Sequence, residues 1–118
     1  MLPDKYSERE MEYGLKENTK EKINQVFAVH PEIQQAIIYG SRALGNFKHS
    51  SDIDITLLGE NINLDVLNQI SIEIDDLLLP YYVDLSIFSH IKNDELVDHI
   101  NRVGKEFFLR EAGKPVYQ

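Results

Sequence analysis

The run Ala36-Ile37-Ile38-Tyr39-Gly40-Ser41, followed after ten intervening residues by Asp52-Ile53-Asp54-Ile55-Thr56-Leu57-Leu58, decides how this chain is read. The first run is apolar and ends on Gly-Ser, so it reads as a short buried strand over residues 34–39 that closes in a turn. In the second run Ile53, Ile55 and Leu57 alternate with Asp52, Asp54 and Thr56, the period of a strand with one buried face. Asp52 and Asp54, two residues apart, therefore point to the same side. Between the two strands, residues 41–45 have room for one helical turn and residues 46–51 read as a polar loop.

Outward from this core, Asn18 or Thr19 can cap a helix that carries Ile23, Val26 and Phe27 on one face. It should stop near His30-Pro31, because a residue before proline avoids the helical region. Asn63 is a suitable cap for a second helix and Asp65 suits its first turn. Leu67, Ile70, Ile74, Leu77 and Leu78 recur at helical spacing until Pro80. Residues 82–88 read as a third strand, with Val83, Leu85 and Ile87 set against Tyr82, Asp84, Ser86 and Phe88. Asn93 can cap a last helix with Leu96, Val97, Ile100 and Val103, stopped at Gly104. Lys105 to Leu109 can add a short final strand, with Phe107 and Phe108 as core residues. Residues 1–17, interrupted by Pro3 and Gly14, read as a loosely ordered segment. The expected class is α/β in the α+β sense: one domain over residues 1–118, a small mixed sheet with helices mainly on one face.

The bulk composition narrows the functions available. The chain has 118 residues, 42% of them apolar, which suits one domain with one core. No apolar run is long enough to span a bilayer, and the N-terminus lacks the layout of a secretion signal. There is no cysteine, which excludes disulfides and thiolate metal sites and makes the cytoplasm the default compartment. Twenty acids against twelve bases give a net charge of −8, which argues against an extended nucleic-acid surface. A local basic patch from Arg42 and Lys48 is compatible with that balance.

The residues that carry chemistry are few. A glycine at a strand end lets backbone N–H groups approach a phosphate without a Cβ in the way, and the Ser41 hydroxyl can donate to a phosphate oxygen. Taken alone, a Gly-Ser pair is an ordinary turn. Neighbouring carboxylates repel unless a cation sits between them, and Mg²⁺ prefers such oxygens. A lone Asp-x-Asp is more often an exposed polar strand face. A calcium EF-hand loop is excluded, because Leu57 and Asn63 stand where that loop needs glycine and glutamate. Asp84 lies mid-strand between Val83 and Leu85, where an acid is unwelcome without a reason. If its strand neighbours residues 53–58, three carboxylates face one side and could hold two Mg²⁺ ions. Such ions neutralise the entering and leaving oxygens of an in-line displacement at phosphorus. Of the four histidines, His49 lies inside the ten-residue gap near the site; His30, His90 and His99 read as surface or capping residues.

In combination these features resemble the minimal nucleotidyltransferase family of the DNA polymerase β-like superfamily. Gly40-Ser41-Arg42-Ala43-Leu44-Gly45 through Ser51-Asp52-Ile53-Asp54 looks like that family's Gly-Ser, ten-residue gap, Asp-x-Asp signature, and Tyr82-Val83-Asp84-Leu85 is similar to its third-acid strand. The resemblance covers roughly residues 18–108. It implies a nucleotidyltransferase palm-like fold, two Mg²⁺ ions and ATP as substrate. It matches Gly40, Ser41 and Arg42 to nucleotide binding, and Asp52, Asp54 and Asp84 to catalysis and metal binding. The sequence departs from the family at Leu44, where Arg or Lys is common; Lys48 is a substitute cation. Larger relatives add a second domain to grip the acceptor, so here the acceptor site is expected from another copy or another protein. The resemblance thus implies an antitoxin that attaches AMP to a tyrosine of a helical HEPN-domain toxin, with homo- or hetero-oligomers possible. Transfer to a small molecule such as an aminoglycoside, and toxin binding without catalysis, are the alternatives.

Overall fold

The computed structural model describes residues 12–111. A 3₁₀ turn at Glu12–Gly14 precedes α1 (Glu17–Ala28), β1 (Gln35–Tyr39), α2 (Gly40–Leu44), β2 (Ile53–Leu58), α3 (Leu64–Asp75), β3 (Val83–Ile87), a 3₁₀ turn at Phe88–His90, α4 (Asp94–Val103) and β4 (Lys105–Leu109). The strands form a mixed sheet in the order β3-β2-β1-β4. β1 runs antiparallel to both β2 and β4, and β2 runs parallel to β3. A parallel pair needs a crossover, and α3 supplies it.

The alternation in β2 does what its period requires. Ile53, Ile55 and Leu57 are fully buried and join Ala36, Ile38 and Ile87 in the core. α1 adds Ile23, Val26 and Phe27 to that core, and α3 adds Ile70 and Ile74. The opposite sheet face carries Asp84, Asp54 and Tyr39 in one paired row and Ser86, Thr56 and Ile37 in the next. α4 lies on this second face: its buried Ile100 shares a hollow of about 260 Å³ with Gln35, Ile37 and Leu58. The helices therefore divide between the faces, α1 and α3 on the core side and α4 on the carboxylate side. Gly104 ends α4 where a Cβ would stand 2.5 Å from the Ile100 carbonyl oxygen and 2.6 Å from Ile37, so only glycine allows the helix this close to the sheet.

The helix starts follow local chemistry. Asn63 accepts from the Val66 N–H at 2.9 Å and Asn93 from the Leu96 N–H at 3.0 Å. Other boundaries differ from expectation. α1 begins at Glu17 with Lys16 at the cap and no side-chain bond; Thr19 is buried inside the helix instead of capping it. α3 stops at Asp75, short of Leu77 and Leu78. Leu78 adopts φ 56° and is 87% exposed, because the chain must turn before Leu79-Pro80. Of the segment expected to be loosely ordered, residues 1–11 lie outside the described residues, whereas Leu15 is buried in the core. Phe107 and Phe108 are adjacent yet both pack on the core, which plain alternation forbids; a register shift opposite Ala36/Ile37 turns them to the same side.

The far end of the chain is fastened by Arg110. Its guanidinium donates to the carbonyls of Phe27, Ala28 and His30, which end α1, and to that of Ile33. Phe27 and His30 each already accept a backbone N–H, so Arg110 adds a second donor to carbonyls at and just beyond the end of the helix. Arg110→Met keeps the stem and removes the donors, and should cost about 1.5–3 kcal/mol, measured as a lower denaturant midpoint with an unchanged slope.

Candidate active site

The candidate site is the row of side chains at the end of β1, β2 and β3. Asp54 is the register partner of Asp84 on one side and of Tyr39 on the other. Neighbouring strands lie about 4.8 Å apart, so the two carboxylates start from adjacent backbone positions. Asp52 precedes β2 by one residue and is exposed, as is Asp84; Asp54 is half-buried between them. Burial holds the Asp54 carboxyl above its ordinary pKa, and the negative charges of Asp84 and Asp52 push it further up; His99 pulls the other way. Asp54 and Asp84 thus share one face, and Asp54 feels the charge of both Asp84 and Asp52.

Gly40 forms the wall of this cluster. Its φ is +75°, a conformation L side chains rarely adopt, and a Cβ there would stand 2.5 Å from the Asp54 Oδ2. The turn residue and the acid therefore fit only as a pair. Ser41 follows as the second residue of α2 and is half-buried.

Arg42 differs from its expected role. It is only 2% exposed, and its guanidinium donates to the carbonyls of Tyr13 (2.9 Å), Ser51 (2.9 and 3.1 Å), His49 (3.2 Å) and Lys48 (3.4 Å). The group lies 5.1 Å from the centre of the Phe47 ring and 4.9 Å from that of Tyr81. Burial lowers its pKa, while Tyr81 and Asp52 oppose that shift. Arg42 is therefore a clasp for the loop that delivers Asp52, and its donors are engaged with carbonyls rather than directed at a phosphate. Lys48 and His49 give it their carbonyls and leave their own side chains exposed. Leu44, at the end of α2, is 53% exposed.

His99 is the site residue that pattern reading missed. Its Nε2 accepts from the Gly40 N–H at 3.2 Å, and its ring meets Tyr39 edge-on at 6.1 Å. Tyr39 is itself buried, which raises its pKa, and it bonds to Ser86. Nothing in the local sequence of α4 marks His99, because its partner is a backbone group 59 residues away.

Among the described residues no three His, Cys, Asp or Glu side chains form a ready metal cage. Register brings Asp54 and Asp84 together, while the carboxylates themselves do not close on a common point. The donor set nonetheless fits a hard divalent cation. All three groups are carboxylates, and the like charge that raises the Asp54 pKa is what a bridging cation would relieve.

Sheet order, the Gly-Ser turn and the acid row agree with a comparison of the whole chain against known families: residues 21–112 match the family model described as polymerase β, nucleotidyltransferase. The chain belongs to this nucleotidyltransferase family. Solved structures with the same nucleotidyltransferase fold include a toxin–antitoxin with AMP-PNP, 21% identical, TM-score 0.64, covering 78% of this chain and 74% of the other. The MntA–HepT toxin–antitoxin is 18% identical, TM-score 0.59, covering 80% and 74%. A tri-AMPylated Shewanella oneidensis HEPN toxin in complex with MNT antitoxin is 19% identical, TM-score 0.58, covering 78% and 71%. At these identities the likeness establishes the fold. Among curated proteins none matches significantly.

Two measurements probe the site as a piece of physical chemistry. An acid whose folded pKa is raised gives stability that is complete below its unfolded value and lost as the pH rises through the folded one. Asp54→Asn should therefore melt higher than the wild type at neutral pH in EDTA, and the gap should close as the pH falls below the ordinary value of 3.8. Arg42→Lys keeps the charge but loses the fork, leaving buried carbonyls unpaired; it should destabilise by about 1–3 kcal/mol in a denaturant titration.

Proposed function

We propose that this chain is a magnesium-dependent adenylyltransferase that moves AMP from ATP to a tyrosine hydroxyl of a HEPN-domain toxin, and so acts as its antitoxin. The observation that carries this reading is the paired register of Asp54 and Asp84 beside a Gly40 turn that tolerates no side chain. Family membership supports nucleotidyl transfer. The choice of AMP and of a HEPN partner is supported by the fold neighbours, which include an AMP-PNP complex and an AMPylated HEPN toxin bound to an MNT antitoxin.

In this reading the Gly40-Ser41 turn binds the triphosphate through backbone N–H groups after Gly40, whose own N–H is given to His99, and through the Ser41 hydroxyl, orienting the α-phosphorus toward the carboxylate row. Asp52, Asp54 and Asp84 are the side chains that would hold the magnesium ions. Bound there, the metal supplies charge neutralisation at the entering and leaving oxygens. Asp84, exposed on the edge strand, faces the acceptor, while the half-buried Asp54 lies between it and the turn. The acceptor hydroxyl gives up its proton to solvent, its oxygen forms a bond to the α-phosphorus as the bond to the β-phosphate oxygen breaks, and pyrophosphate leaves with that electron pair. Arg42 contributes indirectly, by fixing the loop that ends at Asp52.

The test is transfer of label from α-³²P ATP to the product of the adjacent gene. Wild-type protein with Mg²⁺ should label it, and Asp54→Ala should lower the rate by about a hundredfold or more, the scale of losing a preorganised electrostatic contact. Protection of cells from the toxin without labelled partner would instead assign neutralisation by contact alone. Label appearing only on an added aminoglycoside would assign a small-molecule acceptor.

A further inference from the structure

The first N–H groups of a helix have no acceptor within it. In α2 one of these belongs to Gly40, and it is taken up by the His99 Nε2 at 3.2 Å. Accepting at Nε2 places the ring proton on Nδ1. The histidine is held in place on two sides. Ile100, the next residue of α4, is buried against the sheet, and the Tyr39 ring packs edge-on at 6.1 Å. Gly40 has φ +75° and no side chain to limit its rotation, so the orientation of its peptide is otherwise weakly fixed. A turn that must meet a phosphate in one orientation gains from an external anchor on that peptide.

We propose that His99 is a positioning residue of the nucleotide site, fixing the Gly40 peptide so that the Gly40-Ser41 turn is set before the triphosphate arrives. This rests on the nucleotidyltransferase reading above. His99 acts through the turn and not on the reacting atoms. Its loss therefore weakens nucleotide binding and leaves the chemical step nearly intact. The role belongs to Nε2 specifically, which a glutamine amide oxygen can replace and the shorter asparagine cannot.

The experiment titrates α,β-methylene ATP with Mg²⁺ into the full chain by calorimetry, alongside exchange of the Gly40 amide followed by NMR. His99→Ala and His99→Asn should each weaken binding about fivefold to tenfold, the worth of one hydrogen bond, while His99→Gln stays within about twofold of the wild type. Exchange of the Gly40 amide should quicken by a similar factor in His99→Ala and not in His99→Gln. In the transfer assay the change should fall on KM for ATP, with kcat nearly constant. Equal affinity in all four proteins, or tighter binding by His99→Ala, would overturn the inference; the second result would make His99 a competitor for the turn. Should His99→Ala fail to fold, the Gln and Asn variants decide the matter between them. Absence of nucleotide binding by the wild type would strike the parent reading instead, while the exchange measurement would still report whether His99 holds Gly40.

Discussion

Parallel pairing of β2 with β3 places Asp54 directly beside Asp84, a like-charge contact that the rest of the sheet has to outweigh. The opposite faces of the same strands do so. Ile53, Ile55, Leu57 and Ile87 are buried where the acids are not, and a buried aliphatic side chain contributes about 1.5–3 kcal/mol. Slipping the register by one residue would separate the acids but bring those isoleucines and leucines into water. The core thus locks the charged row in place, and the site's unfavourable electrostatics follow from a fold stabilised elsewhere.

Around that row the molecule uses arginines as clasps. Arg42 collects carbonyls from the turn at Tyr13 and from the loop Lys48–Ser51, and Arg110 does the same where α1 ends. In both cases a fork of N–H donors ties together several backbone carbonyls at once, each of which can accept a second bond. Irregular backbone is thereby made firm at the two places where the sheet needs help: the loop that delivers Asp52, and the junction of α1 with β4. Next to the first of these, Gly40 is restrained by His99 from a third direction.

How much of the fold and the site is legible in the residues alone depends on the range of each interaction. The acid row is legible because period-two alternation puts Asp52 and Asp54 on one face and Asp84 among apolar neighbours. The caps Asn63 and Asn93 are legible for the same reason, since their partners lie three residues away. Arg42 stands out beside the Gly-Ser turn, yet its role does not, because its acceptors are carbonyl oxygens whose positions no residue type announces. His99 escapes notice because the group it meets is a backbone N–H far away in the chain. Helical spacing overruns the end of α3, since Leu77 and Leu78 keep the period whereas the approach to Leu79-Pro80 ends the helix first. The face taken by α4 is likewise hidden, because an amphipathic helix reports that it packs and not on which side.

Among the described residues β3 borders the sheet, and the outer rim of an edge strand presents unpaired backbone groups to an extended peptide. Asp84, the second residue of that strand, is exposed there. A carboxylate there makes an incoming strand sacrifice hydration and meet repulsion, which discourages fibre-like growth from an otherwise inviting margin. The same aspartate therefore makes this margin a poor template for strand addition.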